Sequence, residues 1–186
     1  MTSESVHQEV LVVTGMSGAG RSTVGNALED LGWYVVDNLP PQMITPLVEL
    51  ATKAADTIPK IATITDVRGG RLFADLQQIV ETLKSSSAVR VLFLEATDDA
   101  LVRRFEQVRR PHPLQGNGTI LDGIAAERAQ MLEMRESSDI IIDTSGLNIH
   151  QLATKVSEIF VGDDNVGVQV TIISFGFKYG VPTDAD

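Results

Sequence analysis

The chain contains no cysteine, and only 5% of its 186 residues are aromatic. The absence of cysteine excludes a disulfide framework and any zinc or iron–sulfur site that needs cysteine ligands. No apolar run reaches the roughly 18 residues that a membrane-spanning helix needs. The N-terminus also lacks the basic and apolar segments of a secretory signal. These absences favour a soluble, cytoplasmic protein that does not interact with a membrane.

Positive charge is also scarce, because 15 lysines and arginines are set against 25 acidic residues, for a net charge of −10. Such a balance argues against a broadly basic, nucleic-acid-binding surface. Arginines are nevertheless concentrated in one short stretch, at Arg103, Arg104, Arg109 and Arg110. This cluster is either a solvated helix face or a local concentration of positive charge that binds an anion.

Short apolar runs alternate with longer segments of helical periodicity along the chain. The runs typical of buried strands are 9–14, 34–37, 60–65, 89–95 and 139–143. Apolar residues recur at helical spacing over 21–31, 72–83, 119–135 and 149–160. Two further helices are predicted, one after the Pro40–Pro41 pair and one after Asp98 and Asp99, which occupy predicted N-cap positions. Nearly continuous apolar strands between helices predict an α/β fold with a mostly parallel sheet covered on both faces.

A glycine-rich turn joins the first predicted strand to the first predicted helix. It consists of Gly15, Met16, Ser17, Gly18, Ala19, Gly20, Arg21, Ser22 and, directly after them, Thr23. Glycines let successive N–H groups curl towards phosphate oxygens, and the helix adds its positive end. Ser22 would offer its hydroxyl to Mg²⁺ between the β- and γ-phosphates. The turn therefore predicts a P-loop NTPase-type three-layer sandwich that binds ATP or GTP.

The basic residue of this turn is Arg21, where phosphate loops usually have lysine. Arginine keeps the positive charge, but its planar group is longer and more demanding in geometry. Much of the anion recognition comes from backbone N–H groups, so we expect nucleotide binding with slow hydrolysis. The glycine spacing does not fit the Gly-x-Gly-x-x-Gly pattern of dinucleotide-binding folds.

Acidic residues end the other predicted strands, and ligands of open α/β sheets bind beyond these ends. Asp66 is the first candidate for a carboxylate that holds Mg²⁺. Asp37 is the alternative, either for Mg²⁺ or for orienting an attacking water or hydroxyl. Glu95 and Asp143 are weaker candidates, and each of the four could instead cap a turn. The arginine-rich helix, with His112, could close over the phosphates as a lid and neutralise charge that develops on the γ-phosphate, and His112 is assigned no catalytic role.

Several sequence blocks occur in an order that is typical of one protein family. They are the glycine-rich turn and the segments 28–40, 66–68, 92–96, 103–105, 109–114, 141–145 and 174–182. Together they resemble the RapZ/YvcJ family of nucleotide-binding proteins. The resemblance implies a P-loop domain that binds ATP at 15–22 and hydrolyses ATP and GTP weakly. It places GTP at Asp66, Val67, Arg68 and Gly69.

The resemblance also implies an adapter protein that binds RNA and a sugar phosphate through a separate C-terminal domain. We expect the nucleotide-binding domain over 1–163, and a linker with the incomplete start of that second domain over 164–186. RNA and sugar-phosphate binding are therefore not expected of these residues. Two other functions stay open: a small-molecule kinase of the adenylate or shikimate kinase type, and an RNA-binding adapter with a vestigial loop. The sequence also leaves open whether ATP or GTP is preferred, what the physiological partner is and whether the protein is a homo-oligomer.

Overall fold

The computed structural model describes residues 9–53, 58, 60–66, 71–86 and 89–161. The predicted GTP-contacting residues Val67, Arg68 and Gly69 lie outside the described residues, as do the predicted linker and further strand within 162–186. The predicted domain boundary therefore stays a prediction. Among the described residues, no helix combines the length and the hydropathy that crossing a bilayer requires.

Strands and helices alternate along the described chain. The strands are β1 (Glu9–Gly15), β2 (Tyr34–Val36), β3 (Lys60–Ile64), β4 (Val89–Glu95) and β5 (Ile140–Asp143). The α-helices are α1 (Arg21–Asp30), α2 (Ile44–Lys53), α3 (Arg71–Ser86), α4 (Asp98–Val108), α5 (Ile120–Glu136) and α6 (Ile149–Phe160). A short 3-10 helix, Pro41–Met43, precedes α2, so the prolines start a tighter turn than the predicted helix.

The strands form one sheet in the order β2-β3-β1-β4-β5, and every neighbouring pair is parallel. The predicted parallel α/β sheet is therefore confirmed. β1 and β4 lie side by side in the interior of the sheet, and their apolar residues are buried. A nearly continuous apolar run suits such a strand, because helices cover both of its faces. The parallel order places the carboxyl ends of all the strands along one edge.

Side-chain caps define where three of the helices begin. Thr119 caps α5 in a capping box with Asp122, whose pKa is lowered by the hydrogen bonds it accepts from the Thr119 N–H and hydroxyl. Asn148 caps α6 in the same way. In α4 the cap is Thr97, which accepts the N–H of Ala100. The predicted caps Asp98 and Asp99 instead occupy the first turn, where their negative charge suits the helix dipole.

Candidate functional site

The glycine-rich turn connects β1 to α1 at the carboxyl edge of the sheet. Gly15, Gly18 and Gly20 have φ angles of 141°, 84° and 104°, a region that L side chains rarely adopt. Gly20 is the N-cap of α1, and no side chain in the described part of the chain caps this helix. The first N–H groups of α1 have no partner within the helix, so they are available to an anion.

Two side chains hold the carbonyl groups of the turn. The Thr144 hydroxyl donates to the Ala19 carbonyl at 3.0 Å, and Arg104 Nη1 donates to the Gly18 carbonyl at 3.0 Å. Arg104 also donates to the hydroxyl and carbonyl oxygens of Thr144. Burial lowers the pKa of Arg104, against the opposing effect of the Asp143 charge. Arg104 was predicted to belong to a phosphate-covering lid, but its guanidinium supports the backbone of the turn.

A second support of the turn comes from α5. Ser17 donates its N–H to Glu127 Oε2 at 2.9 Å and its hydroxyl to Glu127 Oε1 at 2.7 Å. His112 Nε2 lies 3.1 Å from Glu127 Oε2, and all three residues are buried. Sequence reasoning missed Glu127, because a glutamate on a helix is usually exposed. The available signal was its spacing with Ile124 and Met131, which places it on the buried face of α5.

Arg21 is paired with the acidic residue that the sequence proposed for metal binding. Its Nη1 donates to the Thr65 carbonyl at 3.1 Å, and its Nη2 lies 3.0 Å from Asp66 Oδ1. The side chains of Arg21 and Asp66 are only 12% and 17% exposed. The basic residue of the turn therefore neutralises part of the charge of Asp66 in this structure.

A cavity of about 250 Å³ opens beside this ion pair. It is lined by Arg21, Ser22, Asp37, Asn38, Ile64 and Asp66. The structure therefore brings together the hydroxyl and the two carboxylates that the sequence singled out. Such oxygen ligands suit Mg²⁺, which usually keeps several waters and binds through few protein groups plus substrate phosphates. The donor set fits that ion, and Asp66 would be shared between it and Arg21.

The arginines of the cluster predicted from the sequence lie in different environments. A second cavity, of about 410 Å³, lies on another side of the turn and is lined by Ser17, Gly18, Arg21, Phe105, Val108, Arg110, Pro111 and Pro113. Arg110 therefore faces the turn across this cavity, as a lid residue would. Arg103 and Arg109 are exposed, and Arg109 ends α4 with a φ of 50°. The structure brings Arg104 and Arg110, rather than the whole cluster, to the turn.

The weaker carboxylate candidates lie apart from Asp66. Glu95 is paired with Arg135, whose nitrogens lie 2.6 and 3.0 Å from its oxygens. Asp143 accepts hydrogen bonds from Ser145. Burial acts to raise the pKa of Asp143, but these hydrogen bonds and the charges of Lys155 and Arg104 outweigh it and lower the pKa. Both carboxylates line a different cavity, which the residues of the turn do not line.

Comparisons with known proteins identify the family of the chain. Residues 8–164 match the family described as the RapZ-like N-terminal domain. A protein named nucleotide-binding protein, from Clavibacter michiganensis subsp. michiganensis, is 70% identical over 186 residues, which cover 100% of this chain and 64% of that protein. Another of that name, from Leifsonia xyli subsp. xyli, is 69% identical over 179 residues, covering 96% of this chain and 61% of that protein. The chain therefore spans less than two thirds of these relatives.

Among solved structures, the chain is similar to a shikimate kinase from Bacteroides thetaiotaomicron. The TM-score is 0.56 at 17% identity, and the match covers 82% of this chain and 98% of that one. At this identity the likeness shows the fold alone. It agrees with the predicted α/β class, which the parallel sheet with its alternating helices shows directly.

Proposed function

The chain belongs to the family of RapZ-like N-terminal domains, and from this premise we propose that it binds the phosphates of ATP or GTP, with Mg²⁺, in the turn from Gly15 to Thr23. The observation that supports the proposal is the geometry of the turn and the helix after it: three glycines of the turn have positive φ angles, and no side chain among the described residues caps the start of α1. The Ser17 N–H and the carbonyls of Gly18 and Ala19 are already bonded to side chains. The N–H groups that remain at the start of α1 are therefore directed to a ligand.

The site residues have different roles in this proposal. Bound Mg²⁺ would neutralise charge on the phosphates, held by the hydroxyl of Ser22 and by Asp66. The exposed carboxylate of Asp37, in the same cavity, orients the attacking water. Hydrolysis is slow because Arg21 keeps Asp66 in an ion pair at 3.0 Å. The protein is thus a regulatory nucleotide-binding domain with weak ATPase or GTPase activity rather than a fast enzyme.

Other functions that the resemblance implies are also proposals. We keep the GTP contact at 66–69 on that basis, although most of this segment lies outside the described residues. The adapter role with RNA and a sugar phosphate is a proposal about the longer protein and its C-terminal domain. A homo-oligomeric state likewise stays a proposal.

Removing the Ser22 hydroxyl tests the nucleotide site. With Mg²⁺ present, we expect Ser22→Ala to weaken the binding of fluorescent ATP and GTP analogues by about tenfold, because a metal ligand is lost. With the metal chelated, the variant and the unchanged protein should bind alike. Ser157→Ala, which removes a serine hydroxyl from α6, is the matched control. Failure of the unchanged protein to bind at millimolar nucleotide refutes the proposal.

A small-molecule kinase is the second candidate function, and the cavity at Asp37 favours it. This cavity of about 250 Å³ adjoins Ser22 and could hold a small hydroxyl compound beside an exposed carboxylate. A kinase should transfer labelled γ-phosphate from ATP to a component of a metabolite mixture. Asp37→Asn should remove that transfer and leave nucleotide affinity within about threefold. If no labelled compound other than inorganic phosphate forms, the regulatory function is retained and the kinase function is rejected.

A further inference from the structure

The carboxylate of Glu127 is buried against the turn, and the nucleotide site as proposed does not use it. The Glu127 and His112 side chains are 2% and 0% exposed. A carboxylate is rarely buried this deeply unless donors surround it. Here the donors come from Ser17 on one side and from the segment that follows α4 on the other.

The hydrogen bonds of His112 define its tautomer. The N–H of Leu114 donates to Nδ1 at 3.2 Å, so Nδ1 carries the lone pair and the proton of the neutral ring is on Nε2. Nε2 therefore donates to Glu127 Oε2 across 3.1 Å. Glu127 is thus an acceptor towards three donors, two from Ser17 and one from His112.

The ring of His112 is fixed by close packing on two sides. The ring of Phe105 meets it edge-on, with centroids 4.9 Å apart. On α5, a Cβ added to Gly123 would lie 2.5 Å from Nδ1 and 2.8 Å from Cγ of His112. Only glycine allows this approach. Pro111 and Pro113, next to His112 in the chain, line with Arg110 the cavity that faces the turn. The position of His112 therefore fixes the position of this segment.

We propose that Glu127 is a positioning residue that couples the turn to the segment Arg110–Pro113. It binds Ser17 in the turn and His112 in that segment, so it sets the separation between the loop N–H groups and the Arg110 guanidinium. Arg110 lines the same cavity as Ser17 and Gly18 of the turn, so its positive charge would act on the terminal phosphate of a nucleoside triphosphate, which a diphosphate lacks. The coupling rests on the proposed nucleotide site and adds selectivity for the triphosphate.

Glu127→Gln tests the coupling, because it replaces one acceptor oxygen by an NH₂ group that opposes a buried donor. We expect the affinity for ATP, in the presence of Mg²⁺, to fall by about tenfold or more, and the affinity for ADP to fall by clearly less. Arg110→Ala should weaken ATP binding in the unchanged protein and have little further effect in the Glu127→Gln background. Glu133→Gln, the same change at an exposed site on α5, is the control.

A second pair of variants keeps the test decisive if Glu127→Gln does not fold. His112→Leu, which cannot donate to Glu127, should lower ATP affinity more than His112→Gln, whose amide can. Additive effects of Glu127→Gln and Arg110→Ala overturn the coupling, as do equal losses of ATP and ADP affinity. Equal affinities of the two His112 variants overturn it as well. An unchanged protein that binds no nucleotide refutes the proposed function instead, so the two failures are distinguishable.

Discussion

Replacing Gly15 with alanine is expected to destabilise the fold by about 3 kcal/mol or more. Gly15 has a φ of 141°, and a Cβ there would clash with the carbonyl oxygen of Leu94 and lie 2.5 Å from its nitrogen. These atoms belong to the backbone of β4, whose residue Leu94 is paired with Gly15 in the parallel ladder. Because β4 is buried between β1 and β5, it cannot shift to relieve the contact.

The matched control for this prediction is Gly32→Ala. Gly32 has a φ of 80°, and a Cβ added to it has no neighbour within 4 Å. The control therefore measures only the loss in the free energy of unfolding that comes from placing alanine in a left-handed backbone conformation, about 1–2 kcal/mol. Urea unfolding of both variants gives the two free energies of unfolding. If the Gly15 variant is no less stable than the Gly32 variant, the close approach of β1 to β4 does not constrain this position.

The strands and helices could be predicted because each has a strong local pattern. The bounds of β4 (Val89–Glu95) and α6 (Ile149–Phe160) agree with the sequence-based ranges, since Glu95 ends the apolar run of β4 and Asn148 marks the start of the helical stripe of α6. The order of the strands in the sheet could not be predicted. β1, β3 and β4 have nearly the same composition, and periodicity does not tell which strand will be the neighbour of another.

The site was predictable where it depends on topology, and unpredictable where it depends on contacts between distant residues. The ends of parallel strands meet at one edge, so Ser22, Asp37 and Asp66 were expected to come together, and they line one cavity. The supports of the turn are different. Glu127 is 110 positions from Ser17, and Thr144 is 125 positions from Ala19. The sequence of the turn therefore does not indicate which distant residues will bind it.

The pairing of Arg21 explains why its replacement should change catalysis. Its planar group donates to the Thr65 carbonyl at 3.1 Å and forms an ion pair with Asp66 at 3.0 Å, and a lysine ammonium does not have two nitrogens to make both contacts. With these contacts in place, Asp66 is shared between a fixed cation and the Mg²⁺ of the proposed site. A lysine ammonium is a compact charge on a flexible chain, so it can leave Asp66 and bind the phosphates. The lysine variant therefore frees both groups for the transition state.

We expect Arg21→Lys to raise the rate of ATP hydrolysis by on the order of tenfold or more, because a mobile charge can follow the negative charge that develops on the γ-phosphate. Nucleotide affinity should change by less than about threefold, since the backbone N–H groups are unaffected. Steady-state phosphate release and equilibrium titration measure the two quantities. Arg103→Lys, at an exposed position on α4, is the control. Unchanged turnover, or a gain in affinity as large as the gain in rate, would overturn the proposed role of Arg21 in slowing hydrolysis.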